Sequence, residues 1–242
     1  MSMKTVVIIQ ARMGSTRLPG KVLKPLGNRT VIEYVVERCQ QFMTADVIVA
    51  TSTLASDDRI VEWCLNNQVP YFRGSEEDVL DRYIECAALY SPDYVIRVTA
   101  DCPFVDFEMA KSIQQIMRQR PSDFVAVRGT LPRGLESEMV SLSALQYMNH
   151  HGKEQRHREH VTYYAKEYSD LFKITEYYPD VLVQHPELRI TIDTEEDYKL
   201  CQIIAQHFHG DMLVPSREVV RYLLENPEVA MINAHVEQKL VV

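Results

Sequence analysis

Through its first 120 residues the chain alternates two apolar patterns. Residues 6–9 are continuously apolar, which reads as a β-strand buried on both faces. Residues 46–51 read as a second buried strand ending in hydroxyls, and 69–72 and 94–99 as two further short strands. Between them the apolar positions shift to helical spacing. Val31, Ile32, Val35, Val36 and Cys39 follow a Thr30-x-x-Glu33 capping box. Ile60, Val61, Cys64 and Leu65 follow Asp57 and Asp58, a pair suited to a helix start. Val79, Leu80, Tyr83, Ile84, Ala87 and Ala88 mark one face of a helix over 78–90, and 107–118 reads as another. Strand and helix in strict alternation with short links predict a parallel sheet covered by helices on both faces.

The second half is less regular. Residues 124–127 read as a strand, and 130–138, with Pro132 and Gly134, as a loop or hairpin. Helices are expected over 143–149 and 157–168, and a strand over 188–192. Thr194-x-x-Asp197 starts a helix whose face carries Tyr198, Cys201, Ile204, Ala205 and Phe208. A last helix over 216–225 stops before Pro227. No repeat, low-complexity tract or linker interrupts the chain, so residues 1–242 are expected to form one domain with an irregular subregion.

The polar residues that stand out lie just after the predicted strands: Arg12 to Lys21, Thr51, Arg73 and Gly74, and Thr99 to Asp101. In open α/β sheets ligands bind beyond the carboxyl ends of the strands, so these groups are expected to converge on one site. The loop after the first strand is the most concentrated. Arg12, Arg17 and Lys21 put three cations into ten residues, Ser15 and Thr16 add hydroxyls, and Gly14 and Gly20 allow close approach of backbone to ligand. Such a loop after a buried strand is suited to a polyanion. It is not a P-loop: five residues rather than four separate Gly14 from Gly20-Lys21, and Val22 stands where a magnesium-binding hydroxyl belongs.

Composition narrows the anion. The net charge is −8, so the loop is a local positive site on an acidic protein, which suits a small anion and argues against nucleic acid as a partner. Cysteines at 39, 64, 86, 102 and 201 are odd in number and scattered, which points to a reducing cytoplasm rather than a disulfide framework. No apolar run is long enough to span a membrane, and residues 1–20 lack a signal-peptide pattern.

Asp101 and Asp193 each follow a predicted buried strand. Either could be a turn or helix-capping residue; together they could hold Mg²⁺, with substrate phosphates and water completing its shell. Asp78 reads as a helix N-terminal acid within reach of the same ligand. His157 and His160 lack the further ligands of a zinc site and read as solvated or core side chains. Cys102 has no identifiable activating base and does not read as a nucleophile.

Gln10-Ala-Arg-Met-Gly-Ser-Thr-Arg-Leu-Pro-Gly-Lys21 resembles the signature of the sugar cytidylyltransferases, which include CMP-Kdo synthetase and acylneuraminate cytidylyltransferase. The spore-coat polysaccharide biosynthesis branch is most similar, through Arg97-Val-Thr-Ala-Asp-Cys-Pro103, Leu131-Pro-Arg-Gly134, Arg158-Glu-His-Val-Thr162 and Thr191-Ile-Asp-Thr-Glu-Glu-Asp197. The resemblance implies a three-layer α/β/α nucleotidyltransferase-type, Rossmann-like sandwich. It implies transfer of CMP from CTP to a sugar or sugar acid with release of pyrophosphate. It puts Ala11 at the base or ribose, Arg12, Ser15, Arg17 and Lys21 at the phosphates, and Asp101 and Asp193 at Mg²⁺. Catalysis would rest on Arg12, Lys21 and Asp101, and the nucleotide site would also take in Gly14, Thr51, Arg73, Gly74 and Thr99.

The synthetases that make CMP-Kdo carry Gln-Gly-Asp where this chain has Thr99-Ala100-Asp101, so base recognition by that glutamine does not carry over; Glu195 replaces a proline of the second motif. The resemblance also implies a homodimer formed through about 128–141, with Leu131, Leu135 and Met139 available for it. No general base is evident in the sequence. Two other classes stay open at this point: a metal-dependent glycosyltransferase of similar fold, which releases a nucleoside diphosphate, and a non-catalytic nucleotide-binding protein.

Overall fold

A computed structural model describes residues 3–43 and 45–238; residues 1, 2, 44 and 239–242 of the expected single domain lie outside it. Nine strands occur among the described residues. They are β1 (Thr5–Gln10), β2 (Pro25–Leu26), β3 (Arg29–Thr30), β4 (Ala45–Ser52), β5 (Tyr71–Gly74), β6 (Tyr94–Thr99), β7 (Phe124–Val127), β8 (Glu138–Ser141) and β9 (Ile174–Tyr177). β2 and β3 form a small hairpin, and the other seven make one sheet in the order β5-β4-β1-β6-β8-β7-β9. β5, β4, β1 and β6 run parallel, as the alternating pattern requires. β8 is antiparallel to both of its neighbours, and β7 and β9 are parallel to each other.

β1 sits at the centre, and its side chains divide between two cores. Val7 and Ile9 pack with Val35 and Val36 of α1 (Val31–Gln40), Ile60 and Cys64 of α2 (Asp58–Asn66) and Ile113 of α4 (Phe107–Gln119). Val6 and Ile8 pack on the opposite face with Leu80 and Tyr83 of α3 (Val79–Ala88) and Leu145 and Met148 of α5 (Leu142–His151). An alternating strand that is apolar at every position therefore has a helix layer on each side. The three-layer α/β/α arrangement is the expected one. Two short helices, α6 (Gln155–Glu159) and α7 (Tyr163–Glu167), follow α5 where one longer helix over 157–168 was expected. His160 and Val161 fall in the break, and the His160 backbone leaves helical geometry (φ −108°, ψ 49°).

The expected strand at 188–192 does not join the sheet. The segment is extended, but among the described residues its only β-bridge pairs Arg189 with Arg133. Ile190 N–H donates to Arg133 C=O and Ile192 N–H to Asp101 C=O, so the segment spans two loops. Its apolar side chains, Leu188, Ile190 and Ile192, are buried against α8 (Glu195–His207) and α9 (Ser216–Glu225) in a third core. Burial produces the strand-like pattern without a sheet neighbour. Leu135 and Met139 are also buried inside the domain, and Leu131 packs against the core. Of the apolar side chains expected to be available to a partner copy over 128–141, Leu135 and Met139 are thus taken up within the chain's own core and Leu131 is partly so.

Candidate active site

Beyond β1 the chain stays pinned to the sheet, because Ala11 N–H donates to Ala50 C=O (3.1 Å). Met13 then acts as a staple. Its C=O accepts from Ser15 N–H (2.9 Å) and Gly20 N–H (3.1 Å), which folds the loop back on itself. Its N–H donates to Asp57 Oδ1 (2.7 Å). Gly20 has φ +67°, where a side chain would be strained and its Cβ would meet Met13 Cε at 3.0 Å. The 3₁₀ turn Lys21–Leu23 follows. Leu18 before this turn and Val22 within it are buried, and between them Lys21 is carried inward to 8% exposure.

Asp57 is the hidden support of the loop. It is buried, and its other oxygen accepts from Thr51 Oγ1 (3.0 Å), Ser52 N–H (3.1 Å) and Ser52 Oγ (2.6 Å). Burial acts to raise its pKa, but the hydrogen bonds from Ser52, Met13 and Thr51 outweigh that and hold it below the ordinary aspartate value. Asp57→Ala would orphan four donors, two of them backbone N–H groups. We expect a loss of about 2–4 kcal/mol. That corresponds to a fall in Tm of roughly 5–15 °C for a chain of this length. Thermal denaturation checks it; a Tm within about 2 °C of the parent's would show that the loop holds itself.

Lys21 Nζ donates to Asp101 Oδ2 (2.7 Å), Asp193 Oδ1 (2.8 Å) and Ile192 C=O (2.6 Å). Asp193 also pairs with Arg17 (3.2 Å) and Arg189 (2.6 Å). Burial disfavours the Lys21 charge, but Asp101 and Asp193 outweigh it and raise the pKa. In return both carboxylates stay below the ordinary range, although burial pushes each upward. Residues far apart in sequence thus meet at one nitrogen atom. Asp101 closes the end of β6, and Asp193 is placed by the extended segment and by the capping box that opens α8.

These two carboxylates are hard oxygen donors close enough to one cation-sized position to share it. Among the described residues no group of three or more His, Cys, Asp or Glu side chains could hold a metal. The pair therefore suits Mg²⁺, which is usually held by one or two carboxylates with phosphates and water, and does not suit a metal caged by protein alone.

Two adjoining cavities meet at this point. The first, about 550 Å³, takes in Ala11, Arg12, Gly14, Ser15, Arg17 and Lys21 of the loop, with Arg82 and Arg156. The second, about 620 Å³, is walled by Arg97, Arg133, Glu136, Glu138, Tyr163 and Lys166. Thr99, Asp101, His160, Asp193 and Gln238 line both. In the second cavity Glu138 holds Arg97 (2.8 Å) and Lys166 (2.5 Å) and accepts from Thr162 Oγ1 (2.8 Å). Burial would raise its pKa, yet Arg97 and Lys166 bring it down to about 2, so this triad stays charged.

Of the residues expected at the ligand, Ala11, Arg12, Gly14, Ser15, Arg17, Lys21, Thr99, Asp101 and Asp193 are brought together. Thr51, Arg73 and Gly74 are not in either cavity lining. Thr51 is buried on Asp57. Arg73 donates to Ser52 C=O and Leu54 C=O and pairs with Asp58. Gly74 gives room to Arg82, whose Cγ would lie 2.9 Å from an added Cβ. All three support the loop's surroundings from below. Asp78 caps α3 and binds Arg158 (2.6 Å).

Sequence reasoning missed Arg82, Arg156 and the exposure of His160 to the cavities. Arg82 is fully buried and lines the first cavity with its Nε unpartnered, as does Gln10 with its Oε1. Burial holds the Arg82 pKa below the ordinary value. Helical spacing around Arg82 reads only as a polar position, and no pattern ties α6 to α3. His157 is a core side chain as expected, its Nε2 on Glu167 (2.7 Å). Burial pushes the Cys102 thiol up to about 12, which removes it as a nucleophile.

Comparison with known proteins places this geometry. A family model described as cytidylyltransferase matches residues 6–227. The spore coat polysaccharide biosynthesis protein SpsF of Bacillus subtilis is 35% identical over 92% of this chain and 95% of its own. A cytidylyltransferase structure from Leptospira borgpetersenii has a TM-score of 0.89 and is 30% identical over 99% of both chains. The structure of CMP:2-keto-3-deoxy-manno-octonic acid synthetase complexed with CTP, 18% identical, shares the fold with a TM-score of 0.66 over 84% of this chain and 99% of its own.

Proposed function

This chain belongs to the cytidylyltransferase family of sugar and polysaccharide biosynthesis, and we propose that it transfers CMP from CTP to a hydroxyl of a sugar or sugar acid, releasing pyrophosphate. The observation that carries this reading is the meeting of two cavities at Lys21, Asp101 and Asp193. One cavity is rich in cations and fits a triphosphate; the other is large enough for a sugar. The CTP complex of a relative with the same fold supports CTP as the donor.

In this reading Ser15, Arg12 and Arg17 hold the β- and γ-phosphates, and Lys21 stands at the α-phosphate. Ala11 faces the ribose or base, with Gln10 and Arg82 deeper in the same cavity. Asp101 and Asp193 would hold Mg²⁺, which supplies charge neutralisation on the phosphates. The acceptor lies in the second cavity against the Arg97–Glu138–Lys166 triad, with its hydroxyl directed toward the shared wall. Most of the rate enhancement then comes from positioning and from fixed positive charge, as in phosphoryl transfer generally. All five cysteines are free, which fits a reducing cytoplasm, and no helix among the described residues is long and apolar enough to cross a membrane. A homodimer belongs to this reading through the family resemblance.

The test is a pyrophosphate-release assay with CTP, UTP, ATP and GTP against sugar acids and neutral sugars in the presence of Mg²⁺. Pyrophosphate from CTP with at least one acceptor is the expected result. Release of a nucleoside diphosphate when nucleotide-sugars replace the triphosphates would indicate glycosyl transfer instead, and binding of CTP without turnover across the panel would indicate a nucleotide-binding protein.

A further inference from the structure

An acceptor hydroxyl must lose its proton as it attacks phosphorus. If donor and acceptor occupy the two cavities, the group that takes this proton must lie on the wall they share. Five side chains form that wall: Thr99, Asp101, His160, Asp193 and Gln238. Asp101 and Asp193 are both committed to Lys21. Thr99 Oγ1 lies 3.1 Å from Cys102 Sγ, and neither a hydroxyl nor the Gln238 amide is a base near neutral pH. Glu159 reaches only the first cavity and Glu136 only the second. His160 remains. Among the described residues its ring makes no hydrogen bond, and its nitrogens are not sealed from solvent, in contrast to the buried Nδ1 of His157.

We infer that His160 is the general base of the transfer, accepting the proton of the attacking hydroxyl. The inference rests on the transfer reaction proposed above. In the step, the acceptor O–H bond breaks toward an imidazole nitrogen while the same oxygen bonds to the α-phosphorus. The bond from that phosphorus to its bridging oxygen breaks, and its electron pair leaves with pyrophosphate. The imidazolium then returns its proton to solvent.

The residues on both sides of His160 hold it in place. Arg158 donates to Asp78 Oδ2 (2.6 and 2.8 Å) and Asn149 Oδ1 (2.6 Å), tying α6 to α3 and α5. Thr162 donates to Glu138, and Tyr163 N–H to His160 C=O (2.6 Å). Charged groups on four elements act on the ring electrostatically: Glu159 on α6, Arg97 on β6, Glu138 on β8 and Lys166 on α7. Burial favours the neutral imidazole; Glu159 and Glu138 oppose that effect, and Arg97 and Lys166 add to it.

The experiment uses the full-length protein, CTP, Mg²⁺ and the acceptor that gives the fastest pyrophosphate release. His160→Ala should lower kcat by roughly 100- to 1,000-fold, the usual range for a lost general base, with KM for CTP and acceptor within about threefold of the parent. Added imidazole should restore at least about tenfold of the lost rate, and substituted imidazoles should do so in order of basicity. His160→Gln, which keeps polar bulk at the position, should be as slow and show no rescue. Full activity in either variant overturns the base. So does a loss that imidazole does not restore and that appears as a raised acceptor KM, which would make His160 a binding residue. A wild-type protein that releases no pyrophosphate with any acceptor overturns the transfer reading itself and the base with it; an active wild type with unaffected variants overturns the base alone.

Discussion

Lys21→Ala is expected to reduce kcat for pyrophosphate release by about 1,000-fold or more, equivalent to about 4 kcal/mol in the barrier. The size of the effect follows from where the ammonium sits. It is nearly buried, and its Nζ touches both carboxylates of the site. A charge held in a place with little water acts on a developing phosphate charge far more strongly than a solvated one. Its loss has a second consequence: Asp101 and Asp193 face each other without a counter-charge, and like charges at short range raise the pKa of one of them. The variant should therefore bind CTP more weakly as well as turn it over slowly. Lys21→Arg should recover little, because a planar guanidinium cannot place one nitrogen on Asp101, Asp193 and the Ile192 carbonyl together. Steady-state pyrophosphate release and calorimetric CTP binding on the purified variants check both halves. A kcat within about threefold of the parent would remove Lys21 from the reaction.

Asp101→Asn should abolish metal-dependent turnover, by roughly 1,000-fold, while leaving metal-free CTP binding intact or slightly tighter. The two effects have opposite signs because Asp101 has two roles. As a hard oxygen donor it is half of the pair suited to Mg²⁺. As an anion it occupies Lys21, and it repels the triphosphate that Lys21 would otherwise attract. Asparagine keeps the shape and removes the charge, leaving Lys21 with Asp193 as its one carboxylate partner among the described residues. Titrating CTP into parent and variant, each with Mg²⁺ and with EDTA, separates the roles. The parent should gain affinity from Mg²⁺ and the variant should not. A variant that still gains affinity from Mg²⁺ and still releases pyrophosphate would place the metal elsewhere.

Much of this protein could be read from its sequence where the chemistry is local. β1 declared itself because a strand buried on both faces is apolar along its length, and β4, β5 and β6 because short apolar runs alternate with helical spacing. The loop after β1 declared itself because three cations and two glycines in ten residues have no purpose in a core. Capping boxes at Thr30 and Thr194 mark helix starts in both sequence and structure. The errors came where a local pattern has two tertiary causes. Leu188, Ile190 and Ile192 alternate as a strand does, yet burial against α8 and α9 produces the same pattern without a sheet neighbour. Thr51, Arg73 and Gly74 stand at strand ends, as ligand groups do, yet they support Asp57, the β4 loop and Arg82.

The resemblance of the 10–21 motif pointed to the cytidylyltransferase family; apart from it, the sequence by itself determined the sheet's parallel half, the cation-rich loop after β1 and the two strand-end acidic positions, 101 and 193. Periodicity, turn chemistry and residue type within a dozen neighbours are enough for those. Only the tertiary structure decided that Lys21 lies between Asp101 and Asp193, that Asp57 holds the loop at Met13, and that Arg82 and His160 face the cavities. Each of these depends on groups 44 to 172 residues apart meeting at distances of 2.7–2.8 Å, or on which part of the chain a cleft happens to reach. Such meetings are set by how the layers pack, and no spacing along the chain encodes them locally.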